Sequence, residues 1–329
     1  MLSFARCAWN PRPGAAGLFL LRRYPRPMST SSGALPPAPF GRVLTAMVTP
    51  FAADGSLDLD RAAALASRLV EAGNDGLVIS GTTGEAPTTS DAEKESLLRA
   101  VVDAVGDRAS IVAGIGSNNT AHSVELARAA EKAGAHGALL VTPYYNKPPQ
   151  AGVIAHVETV LEAVDLPVLL YDVPARTGLA MSTDTIVRLA EHERVVGVKD
   201  AKIDVEATSW VLARTDLAYY SGHDPATLPL LALGAVGVVG TSTHVTAAAT
   251  QALVAAFDAG DVAGARAINA KVLPAYSGIF RTQGTILVKA ALALLGFDVG
   301  PVRLPLVDAT DAERRLLAAD LAAAGIVAA

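Results

Sequence analysis

The sequence predicts an α/β fold, a (β/α)8 TIM barrel with a small C-terminal helical subdomain. Three observations predict it. Short runs rich in Val, Ile and Leu alternate with amphipathic stretches at a spacing of about 25 residues, the rhythm of a parallel sheet with covering helices. There are eight such runs, and eight βα units of this length close naturally into a barrel. After Gly260 the runs stop and only helical periodicity remains.

The runs are residues 43–49, 76–80, 111–115, 138–142, 167–171, 195–199, 218–221 and 237–241. Between the first two, Leu65, Leu69 and Val70 fall on one helical face after Asp58. Ser90 opens SDAEKESLLRAVVDAV with Glu93 three residues on, the pattern of a capping box. Val124, Ala127 and Ala130 share another face. Residues 262–280, 284–295 and 311–323 read as the helices of the subdomain. An open doubly wound sheet is the alternative. No G-x-G-x-x-G or G-x-x-x-x-G-K-[ST] follows a strand, which weakens its nucleotide-binding version. The expected organisation is a leader over 1–40, a catalytic barrel over 41–260 and the helical subdomain over 261–329.

Residues 1–41 hold Arg6, Arg12, Arg22, Arg23 and Arg26 and no acid. They read either as a mitochondrial transit peptide or as a misassigned start upstream of Met28, and in both cases residues 1–38 are expected to be disordered. The apolar run 15–21 is too short for a membrane span. The whole chain of 329 residues is 51% hydrophobic, enough for a large core, and carries a net charge of −5 with both signs interspersed. That balance argues against nucleic acid or an anionic membrane as the main partner. Cys7 is the sole cysteine, which excludes an intrachain disulfide and a cysteine metal site and fits a reducing, cytoplasmic setting. The histidines show no H-x-x-x-H or H-E-x-x-H spacing. Neither a metal nor a cofactor is expected.

Lys199 ends the sixth run, VVGVKDA. A lysine there is solvated, paired or neutral, because an isolated buried charge is costly. A neutral amine is a nucleophile whose natural target is a carbonyl carbon. The plainer reading is a snorkelling or salt-bridged lysine. The other strand ends favour chemistry, since barrel active sites sit on that rim. The second run ends in SGTTGE, residues 80–85, a tight turn whose backbone N–H groups suit a carboxylate. The fourth ends in TPYYNKP with Tyr144 and Tyr145, and the fifth in YDVPARTG with Tyr171 and Arg176. The eighth ends in GVVGTS. An imine formed by Lys199 with a 2-oxo acid is an electron sink, and phenol and threonine hydroxyls relay protons without fixed charge. Asp200 alternates to the other face of the strand. Asp91, Lys94 and Glu95 read as a solvated helix face.

SGTTGE, TPYYNKP, LLYDVPARTG and GVKDAK, in that order, resemble the pyruvate-dependent class I aldolase family, and within it the dihydrodipicolinate synthase branch. The resemblance runs from about Val43 to the C-terminus and includes RLPL at 303–306. It implies condensation of pyruvate with L-aspartate 4-semialdehyde, on the route to lysine and diaminopimelate. Carried across, Lys199 is the Schiff-base lysine and Tyr171 the acid/base group over the imine. Thr82 and Tyr145 complete a proton relay, with the second tyrosine supplied by a neighbouring subunit. Thr83 holds the pyruvate carboxylate, the backbone near Val239 lines the same pocket, and Arg176 binds the semialdehyde carboxylate through its planar fork of donors. A homotetramer built as a dimer of dimers is implied as well. Another aldolase of the family, acting on keto-deoxy sugar acids, neuraminate or hydroxy-oxoglutarate, is the alternative; a non-catalytic 2-oxo-acid-binding barrel is a third. In lysine-sensitive members an effector cleft offers two histidines and a glutamate. The corresponding positions here are Asp91, Lys94 and His122, while Asn118 and Tyr144 match, so weak or absent feedback by lysine is expected. RTQGTILVKAAL replaces a proline-rich segment of some members and is expected to pack helices rather than do chemistry.

Overall fold

The computed structural model describes residues 36–327. Strand β1 (Val43–Ala46) leads to α1 (Leu59–Glu71), β2 (Gly76–Ile79), α2 (Asp91–Val105), β3 (Ser110–Gly114), α3 (Thr120–Lys132), β4 (Gly137–Val141), α4 (Gln150–Leu161) and β5 (Val168–Asp172). Next come α5 (Pro174–Thr177), α6 (Thr183–Leu189), β6 (Val195–Asp200), α7 (Val205–Arg214), β7 (Ala218–Ser221), α8 (Thr227–Leu233), β8 (Gly237–Gly240) and α9 (Thr243–Asp258). Helices α10 (Val262–Ile279), α11 (Gly284–Leu294) and α12 (Asp311–Ala323) follow. The strands are parallel and close into a barrel in chain order, β8 returning to β1 through the pair Leu44–Val239.

Local chemistry accounts for the helices. Asp58 caps α1 by accepting from Arg61 N at 2.9 Å, and Leu65 and Leu69 are fully buried beneath it. Each such burial contributes about 2 kcal/mol. Ser90 and Glu93 form the expected capping box on α2. Alternation along the strands separates two apolar layers. Leu44, Val78, Val112, Leu139, Leu169 and Tyr220 fill the barrel interior. The opposite faces pack against the helices, and Ile279, Leu287 and Leu317 of α10, α11 and α12 belong to that same outer cluster. The C-terminal helices therefore share a continuous core with the barrel.

Two boundaries differ from expectation. Residues 1–35 of the expected leader lie outside the described residues. Its last residue, Phe40, is only 3% exposed and closes the base of the barrel. A Cβ on Gly137 would lie 2.3 Å from the Phe40 ring, so the close approach requires glycine there. The packed chain thus begins before residue 41.

Strand β1 is shorter than the apolar run 43–49. Met47 N still bonds Val78 O at 3.0 Å, but Val48 N turns to His244 Nε2 at 3.0 Å, which ends the ladder. With Nε2 accepting, Nδ1 donates to Thr241 O at 2.7 Å, so the ring is neutral. Burial holds His244 down at about 4, against the opposing pull of the Thr241 bond. The folded pKa lies below the ordinary 6.5, so the unfolded chain takes up the proton first. Stability from this group is intact above about pH 6.5 and is lost progressively as pH falls to about 4, by about 3 kcal/mol. Urea unfolding at about pH 7 and about pH 4 is expected to show that loss, and His244→Gln to lose correspondingly less between the same two pH values. Equal losses in both proteins would refute this role.

Candidate active site

Lys199 and Tyr171 come from adjacent strands. The register pairs Tyr171 with Lys199 and Asp172 with Asp200, and parallel register partners share a face. Tyr171 belongs to the interior cluster, and Lys199 reaches it with Nζ 4.3 Å from the ring centroid. Lys199 is 5% exposed. Asp200 faces outward, as expected, accepting from Thr208 Oγ1 on α7 at 2.8 Å.

Its surroundings set Lys199 apart from the other buried lysines. Lys202 lies 3.5 Å from Asp172, whose carboxyl burial pushes up to about 6 against the pull of Lys202. Lys289 lies 2.8 Å from Glu85. Lys199 forms no ion pair among the described residues, and its neighbour is an aromatic face.

The turn after β2 is built tightly. Ser80 and Glu85 both have left-handed backbone, with φ of 56° and 55°. Gly84 N, Glu85 N and Ala86 N donate within the turn to Gly81 O, Thr82 O and Gly81 O. Thr49 Oγ1 holds Gly84 O at 2.6 Å. Thr83 is buried, and its hydroxyl lies 3.2 Å from that of Thr241, just after β8. Asp224 fixes that strand end by accepting from Thr241 N at 3.2 Å and Ser242 N at 3.0 Å. Val239, two residues earlier on β8, is buried in the same interior cluster as Tyr171.

Thr82, Tyr145, Tyr171 and Arg176 line a single cleft of about 830 Å³. Tyr171 is buried and Arg176 is exposed on α5, where Gly178 caps the turn with φ of 73°. Tyr145 is 87% exposed, with a left-handed φ of 71°, and its N–H donates to Thr177 O at 3.3 Å. No hydrogen bond joins the hydroxyls of Thr82, Tyr171 and Tyr145 among the described residues.

The cleft continues to Asp91, Lys94, His122 and Tyr144. The expectation of a solvated face at Asp91, Lys94 and Glu95 needs correction at Lys94. Its side chain is only 14% exposed, because Nζ folds back to Thr89 O at 2.6 Å and to Asp91 at 3.3 Å. Burial would raise the Asp91 carboxyl, but bonds from His122 at 2.8 Å and from Lys94 outweigh it and lower it.

Thr241, Asp224, His244 and Thr285 support the site and escaped the sequence reading. The hydroxyl run in GTSTH was a signal for Thr241. Nothing local marks Thr285, whose hydroxyl donates to Thr83 O at 3.1 Å from 202 residues away. The 281–292 segment does pack helices, and it also touches the turn.

Comparison with known proteins identifies the family. The Dihydrodipicolinate synthetase family matches residues 39–324. The 4-hydroxy-tetrahydrodipicolinate synthase of Acidothermus cellulolyticus is 67% identical over 298 residues, covering 91% of this chain and 96% of that one. The structure of the enzyme from Cyanidioschyzon merolae with lysine bound superposes with a TM-score of 0.86 at 40% identity, over 88% of this chain and 99% of that one. A structure described as the first monomeric dihydrodipicolinate synthase variant gives 0.85 at 36% identity, over 88% and 98%. With the match spanning barrel and C-terminal helices alike, the chain belongs to the Dihydrodipicolinate synthetase family.

Proposed function

We propose that the chain is a Schiff-base-forming lyase, a 4-hydroxy-tetrahydrodipicolinate synthase that joins pyruvate to L-aspartate 4-semialdehyde through Lys199. The observation that carries the residue assignment is the buried amine without an acid partner, 4.3 Å from the Tyr171 ring. The neutral amine attacks the C2 carbonyl of pyruvate, water leaves, and a protonated imine forms. Loss of a methyl proton places the electron pair in an enamine. The enamine carbon attacks the aldehyde carbon, and the new alkoxide takes up a proton. The amino group of the condensed chain then attacks C2, and Lys199 is released as the ring closes.

Each proton step needs a donor or acceptor at the imine. That role is assigned to Tyr171, with Thr82 and Tyr145 as the remaining relay. The turn at 82–83 takes the pyruvate carboxylate, beside the backbone at Val239. Arg176, exposed at the mouth of the cleft, takes the carboxylate of the semialdehyde. The reaction uses no cofactor in this scheme.

Assembly as a homotetramer, a dimer of dimers, supports the tyrosine relay. Tyr145 holds a strained backbone conformation while exposing its ring, which suits a contact completed by a second subunit. Sedimentation equilibrium giving the single-chain mass at assay concentration would contradict this. No described helix is long and apolar enough to cross a membrane, and a biosynthetic role in the cytoplasm fits.

Turnover with aspartate semialdehyde, compared with sugar-acid and neuraminate substrates, tests the assignment; preference for a polyol substrate would overturn it. Feedback by lysine is expected to be weak, because Lys94, held against Thr89 O and Asp91, adds a cation to the wall of the cleft. L-Lysine at about 1 mM is expected to leave turnover within about twofold of its uninhibited rate. Strong partial inhibition at lower concentration would contradict this.

A further inference from the structure

The RLPL motif and the RTQGTILVKAAL segment have no part in the reaction above, yet both converge on the turn at 81–85. Thr285 donates to Thr83 O at 3.1 Å. Lys289 Nζ lies 2.8 Å from Glu85 Oε1, with the two residues 4% and 3% exposed. The second carboxylate oxygen of Glu85 accepts from Arg303 N at 2.8 Å. Lys289 also donates to Pro301 O at 2.6 Å, which ties α11 to the chain just before RLPL. The Arg303 side chain continues to Thr88 O at 2.8 Å, the far end of the same loop.

Two features make this more than packing. Glu85 holds φ of 55° and ψ of 38°, a conformation that a residue with a side chain keeps only when its surroundings impose it. In addition, a buried ion pair contributes little net stability, because desolvation offsets the attraction; in some proteins its role is to fix one conformation among several. The conformation fixed here is that of the turn carrying Thr82 and Thr83. The amides of Gly84, Glu85 and Ala86 are consumed inside the turn, while those of Thr82 and Thr83 donate to no backbone carbonyl among the described residues.

We propose that Glu85, Lys289 and Thr285 are positioning residues for the first substrate. Through them the C-terminal helical segment sets the shape of the 81–85 turn and so its affinity for a 2-oxo-acid carboxylate, without touching that substrate. The inference rests on the reading of this turn as the pyruvate carboxylate site.

The test uses three variants of the full-length protein beside the wild type. Glu85→Gln with Lys289→Met removes both charges together and leaves no unpaired ion. Thr285→Val removes one hydroxyl, and Thr285→Ser restores it. Borohydride trapping at graded pyruvate concentrations reports the half-saturation of imine formation separately from the second substrate. The double variant is expected to raise half-saturating pyruvate about tenfold, with maximal labelling of Lys199 retained, since a displaced binding group costs up to about a hundredfold. Thr285→Val is expected to raise it about threefold, and Thr285→Ser to return it to the wild-type value. If melting shows the double variant unfolded, the Thr285 pair decides alone. Unchanged half-saturation in folded Thr285→Val overturns the inference while wild-type labelling leaves the functional reading standing. Failure of pyruvate to label the wild type overturns both.

Discussion

Lys199→Ala is expected to lower kcat/KM by roughly a thousandfold or more, because the covalent intermediate has no other site of attachment. No neighbouring amine can substitute. Lys202 is engaged with Asp172 at 3.5 Å, and Lys289 with Glu85 at 2.8 Å. The loss is expected in kcat, with no recovery at high pyruvate. Stability is expected to change little. The recorded contact of the amine is the Tyr171 ring, worth about 1 kcal/mol, and its loss is offset by relief of a buried polar group. A Tm within about 5 °C of wild type is therefore expected. An unfolded variant would leave the activity loss uninterpreted, so far-UV circular dichroism accompanies the assay. A folded variant with near-wild-type turnover would contradict covalent catalysis at this position.

Arg176→Ala is expected to act on the other substrate. Arg176 forms no ion pair among the described residues and stands exposed on a four-residue helix, so its removal costs the fold little. A guanidinium–carboxylate contact contributes about 1.5–3 kcal/mol, which corresponds to an increase of about tenfold to a hundredfold in KM for the semialdehyde. Imine formation with pyruvate is expected to stay at the wild-type level. Arg176→Lys is expected to recover only part of the loss, because an ammonium cannot offer two parallel donors to a planar carboxylate. An equal rise in half-saturating pyruvate would place Arg176 in the wrong subsite.

The reach of the sequence reading follows from chain distance. Barrel topology was legible because each βα unit carries its own signals within about 25 residues. The expected helices 262–280, 284–295 and 311–323 correspond to α10, α11 and α12 to within a residue at each end. Lys199 and Tyr171 were brought together by the family resemblance, and the register makes them neighbours on adjacent strands. Interactions that bridge distant segments were not legible. Val48 and His244 are 196 residues apart, and their bond ends β1 earlier than its apolar run suggests. Thr285 and Thr83 are 202 apart, and no local pattern joins them. Lys94 misled for a related reason. Its spacing marks a charged helix face, but Thr89 O draws the ammonium back toward the cleft wall. Phe40 misled through composition, since a Pro- and Ala-rich leader conceals one aromatic that the barrel base requires.

The same account makes one demand of the wild-type protein. The amine at the end of β6 must bond covalently to C2 of a 2-oxo acid and must do so selectively over the other lysines. Incubation with pyruvate and borohydride, followed by proteolysis and mass spectrometry, measures this directly. The account predicts a single carboxyethyl adduct, located on Lys199 and absent in Lys199→Ala. Full turnover with no adduct at that residue, or an adduct on another lysine that tracks activity, would contradict it.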